Sequence, residues 1–106
     1  MSEMKKIVLA DASEEFRRML AQLVSEEPDL SVVGETGSGE ELLDLISAQR
    51  PDVVVMDLLL TGLDGLEVLE KLEGLGPIRP RTLVLSAFGG SALAEQTTYQ
   101  AIYREW

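Results

Sequence analysis

A chain of 106 residues, 45% of them hydrophobic, is long enough for one domain with a real core and too apolar to be disordered. It has no cysteine and no histidine, which excludes disulfides, thiolate metal sites, and the commonest general base and zinc ligand. Nine Lys and Arg against 19 Asp and Glu give a net charge of −10, so the surface repels nucleic acid and anionic membrane.

In chain order, Lys5-Lys6 precede the short apolar strand Ile7–Ala10, which runs into Asp11. Ser13 is placed to cap a helix in which Phe16, Met19, Leu20 and Leu23 share one face, with Glu14, Glu15, Arg17 and Arg18 outside. Pro28 ends that helix, and Leu30–Gly34 reads as a second strand. The turn ETGSG follows, and Ser38 with Glu41 predicts a capping box for a helix carrying Leu42, Leu43, Leu45 and Ile46. Pro51 opens a third strand, where Val53–Met56 form a continuous apolar run ending at Asp57. Asp64 and Glu67 repeat the capping pattern before Leu66, Val68, Leu69 and Leu72. Gly74–Pro80 is a loop, and Thr82–Leu85 is a fourth strand ending at Ser86. In the tail from Ser91, Tyr99, Ile102, Tyr103 and Trp106 fit one face of a helix; Thr97–Tyr99 would also suit a strand, and the helix is preferred.

Strand and helix alternate three times, which predicts right-handed βαβ units in a doubly wound parallel sheet; the expected arrangement is the flavodoxin-like one, with strand order 2-1-3-4 if the first and third strands are neighbours. In that order Asp11 and Asp57 end neighbouring strands, about 4.8 Å apart, and Ser86 ends the strand on the far side. Two acids and a hydroxyl at one rim suit a hard, oxygen-preferring cation such as Mg²⁺. An Asp beside such a cation can act as a nucleophile towards phosphorus.

These residues resemble the receiver domains of bacterial response regulators, from Lys5 to about Gly89. The carriers are Ala10-Asp11, PDVVVMD at Pro51–Asp57, LDGLEVL at Leu63–Leu69 and LSAFG at Leu85–Gly89. Spacing and the last two segments are most similar to the receivers of transcription factors that start sporulation. The resemblance implies that Asp57 is the phosphoacceptor, that Asp11, Asp57 and the Leu59 backbone carbonyl hold Mg²⁺, and that Ser86 is the switch hydroxyl. It implies a two-component phosphorelay protein, not an enzyme, partnered by a sensor histidine kinase or phosphotransferase. A C-terminal output domain would lie outside this chain. No leader or membrane-spanning run is seen, so the expected compartment is the cytoplasm.

The chain departs from the family pattern at four places. Ala12 stands where a second acid is usual, so Mg²⁺ is expected to bind weakly. Leu60 and Thr61 replace the customary Met and Pro. The family lysine has no counterpart, since lysine occurs only at 5, 6 and 71. The fifth strand and fifth helix are expected to be missing, leaving a single, C-terminally incomplete receiver over 1–106 with a tail helix. Its fourth strand would then be an open edge, which predicts a homo-oligomer. Two other readings stay open. One is a degenerate receiver that binds a partner whatever its phosphorylation state. The other is a nucleotide-binding enzyme built on GETGSGE at Gly34–Glu40, although Glu40 stands where a phosphate loop needs lysine.

Overall fold

The computed structural model describes residues 4–87 and 99–105, with side chains over 4–85. Five strands, β1 (Lys5–Ala10), β2 (Leu30–Thr36), β3 (Val53–Asp57), β4 (Arg81–Ala87) and β5 (Tyr99–Glu105), form one sheet in the order β2-β1-β3-β4-β5. The first four are parallel and in the expected order. Helices α1 (Glu14–Ser25), α2 (Gly39–Gln49) and α3 (Gly65–Glu73) connect them.

Alternation along the strands divides the core between two faces. Val8, Ala10, Val54, Met56 and Val84 turn to one face and pack with Leu42 and Ile46 of α2 and Val68 and Leu72 of α3. Ile7 and Leu9 are buried as well, so β1 is covered on both faces, as its unbroken apolar run requires. The caps form where the sequence placed them: Ser13, Ser38 and Asp64 accept from the amides of Phe16, Glu41 and Glu67. The Ser38–Glu41 box is only half made, because the Ser38 amide donates to Thr36 Oγ1 at 3.0 Å.

Three expectations are corrected. The tail is not a helix over Tyr99–Glu105: it is β5, antiparallel to β4, with Thr82 opposite Glu105 and Ala87 opposite Tyr99. Over seven residues the helical and strand patterns are hard to separate. The unpaired N–H and C=O groups along β4 decide the matter, and Tyr and Ile favour a strand. Trp106 and residues 88–98 lie outside the described part. A fifth strand is therefore present and β4 is not an open edge, which removes the open edge as a reason for a homo-oligomer. The α1 apolar face is only partly covered among the described residues: no α1 residue is fully buried, and Met19 and Leu23 are 50% and 55% exposed.

Candidate functional site

Asp57 is the last residue of β3, and Asp11 is the first residue after β1. The parallel register pairs Ala10 with Met56, so its next step sets the two carboxylates side by side at the carboxyl end of the sheet. Both are 5% exposed. Each is held by the loop it begins: Asp11 Oδ1 accepts the Ser13 amide at 2.8 Å, and Asp57 Oδ1 accepts the Leu59 amide at 3.2 Å. Burial raises the Asp11 pKa above the ordinary carboxylate value; the Ser13 N–H opposes this, the neighbouring Asp57 charge adds to it, and Arg17 opposes it.

Leu59 lies on the loop after β3, with its side chain outward and 71% exposed. Ala12 is also exposed. The strand register pairs Asp57 with Leu85, so the Ser86 backbone comes one step beyond the level of Asp57. The Ser86 side chain lies outside the described residues.

Several residues that the sequence assigned to surface or turn belong to this rim. Arg17 is not on the solvated face of α1. Its side chain is 17% exposed, Nη1 donates to the Asp11 carbonyl at 2.6 Å, and Nε lies 3.8 Å from Glu35. The turn after β2 and the loop after β3 are bonded to each other: Thr61 donates its amide and its hydroxyl to the Gly37 carbonyl at 2.9 and 3.0 Å, and the Gly39 amide donates to the Thr61 carbonyl at 3.0 Å. Glu40 accepts the Leu63 amide at 3.2 Å, which lowers its pKa. Within GETGSGE, Gly34–Thr36 belong to β2, Gly39-Glu40 open α2, and the Glu40 carboxylate is bonded to the loop after β3. The one sequence signal for this bonding was Thr61, where the family resemblance calls for proline.

Two buried, like-charged carboxylates side by side are a place that a cation would relieve. Among the described residues no group of three or more His, Cys, Asp or Glu side chains could hold a metal. Two carboxylates and a carbonyl, with water and a phosphoryl oxygen in the remaining places, nonetheless fit the habits of Mg²⁺. A cleft of about 270 Å³ lined by Ile46, Arg50, Pro51, Lys71, Leu75 and Ile78 lies at the opposite, amino-terminal edge of β3 and β4, away from this chemistry.

An open, doubly wound sheet with paired acids at its carboxyl edge is the architecture of a flavodoxin-like signalling domain. The family model of the response regulator receiver domain matches residues 7–103, and the chain belongs to that family. It is similar to the signal receiver domain of the putative response regulator NarL from Mycobacterium tuberculosis, at 30% identity over 88% of this chain and 74% of that one, with a TM-score of 0.76. The response regulator domain of Thermotoga maritima CheB matches at 26% identity over 88% and 68%, with a TM-score of 0.74. A two-component response regulator of the LuxR family from Aurantimonas matches at 30% identity over 88% and 66%, with a TM-score of 0.73. Among the described residues no helix is long and apolar enough to cross a membrane.

Proposed function

We propose that this receiver accepts a phosphoryl group on Asp57 from a histidine kinase or phosphotransferase, in the cytoplasm, as a signalling component and not as an enzyme. The observation that carries this is the buried Asp11–Asp57 pair at the carboxyl end of adjacent central strands. The Leu59 amide holds Asp57 Oδ1, which fixes the carboxylate and leaves Oδ2 to attack. Oδ2 forms the new bond to phosphorus as the phosphorus–nitrogen bond to the donor imidazole breaks, and the electron pair leaves with that nitrogen. Asp11, Asp57 and the Leu59 carbonyl would hold Mg²⁺, which offsets the repulsion between the carboxylate and the incoming phosphoryl oxygens. Ser86, by its place at the end of β4, is assigned the switch hydroxyl.

A second reading has its own support. With Ala12 at the rim and no lysine in β5, two charges usual for the family are absent, which favours a receiver that binds its partner in any phosphorylation state. Incubation with acetyl phosphate and Mg²⁺ separates the two. A phosphoryl adduct in the intact mass of the wild type, absent from Asp57→Asn, supports the first; no adduct on the wild type, where an intact receiver labels fully, supports the second.

A further inference from the structure

The loop that carries the Leu59 carbonyl is tied down at both ends of its first turn. Asp57 Oδ1 holds the Leu59 amide, Leu60 is buried in the core, and Thr61 is bonded to the β2–α2 turn by the three hydrogen bonds given above. Ser38 and Thr61 form a short parallel bridge, and Glu40 takes the Leu63 amide two residues on. The contact is backbone on backbone: a Cβ at Gly39 would overlap the Leu63 carbonyl, and Gly62 adopts φ +71 against the Glu40 carboxylate. On its other side Gly37 packs against Arg17, whose guanidinium holds the Asp11 carbonyl. A proline at 61 could supply neither donor to Gly37; its ring would restrict φ instead. Here the restraint comes from donors that bond the loop to its neighbour.

We propose that Thr61 is a positioning residue, whose amide and hydroxyl, converging on the Gly37 carbonyl, fix the Leu59 carbonyl and the Asp57 carboxylate relative to Asp11 before any cation arrives. This rests on the Asp57 phosphoacceptor reading and goes beyond it. With one carboxylate fewer at the rim, the cation contributes less to ordering the site, so the ordering falls to the polypeptide. Thr61→Val keeps the shape and removes the hydroxyl donor. Thr61→Ser keeps the donor. Thr61→Pro removes both donors and substitutes the ring's restraint.

The test is a Mg²⁺ titration followed by NMR at the Leu59 and Ser13 amides, with amide hydrogen exchange at Leu59 and acetyl phosphate labelling on the same samples. Removing one such bond should weaken Mg²⁺ binding and speed Leu59 exchange by about threefold to tenfold in Thr61→Val. Thr61→Ser should restore both, although its melting temperature need not match the wild type. Wild-type Mg²⁺ affinity and Leu59 exchange in Thr61→Val overturn the inference, as does a wild type that binds no Mg²⁺. If Mg²⁺ affinity follows Thr61 while no variant labels, the positioning stands and the phosphoacceptor reading fails.

Discussion

Replacing Asp11 by Asn should make the metal-free protein more stable. The β1–β3 register brings the two carboxylates to adjacent strands, about 4.8 Å apart at the backbone, so the charges lie roughly 5–6 Å apart. At an effective dielectric of about 20–40 they repel by about 1.5–3 kcal/mol, and burial adds a cost that Asn avoids. Asn can still accept the Ser13 amide, so the local turn is kept. The net gain near neutral pH should be about 1–2 kcal/mol, which in a domain of this size raises the melting temperature by roughly 5–15 °C. The sign with pH follows from the raised folded-state pKa of Asp11: the native state takes up the proton before the unfolded chain does. The wild type therefore recovers the deficit as pH falls through the folded value towards the unfolded one, and the advantage of Asn shrinks. Acids far from the Asp11–Asp57 pair behave alike in both proteins and cancel in the comparison. Urea unfolding followed by circular dichroism, near neutral and near pH 4, measures the difference. An Asn variant no more stable than the wild type at neutral pH, or one whose advantage does not change with pH, would refute the reasoning.

Ala12→Asp should tighten Mg²⁺ on the order of tenfold in an NMR titration, because a hard cation gains from each carboxylate, and should lower stability when Mg²⁺ is absent. Gly39→Ala should cost about 2–4 kcal/mol in urea unfolding, since the added methyl meets the Leu63 backbone and not a movable side chain. Leu42→Ala, at a fully buried position of α2, should cost about 2–5 kcal/mol in the same assay.

The parallel sheet was legible because it follows from periodicity: Val53–Met56 must be covered on both faces, and helical stripes between strands supply the cover; the strand order came from the flavodoxin-like pattern and not from periodicity. Asp11 and Asp57 were legible because a charge at the end of an apolar strand stands out from its surroundings. Arg17 was not, since its position in α1 reads as the polar face; only the fold shows that this face turns towards the Asp11 carbonyl. Nor could Thr61 and Gly37 be paired from sequence, because they lie 24 residues apart and meet only when two loops stack. The tail was misread for a different reason. Tyr99, Ile102 and Tyr103 suit either periodicity, and the choice belongs to the free backbone groups of β4, which no local pattern reveals.

The central claim is tested most directly by locating the phosphoryl group. Protein treated with acetyl phosphate and Mg²⁺ is reduced with borohydride, which converts an aspartyl phosphate to homoserine, and then digested and sequenced by mass spectrometry. Homoserine at position 57, with Asp11 and Asp64 unchanged, is the predicted result. Homoserine at another acid, or at none in a sample whose Mg²⁺ binding is intact, would contradict the account.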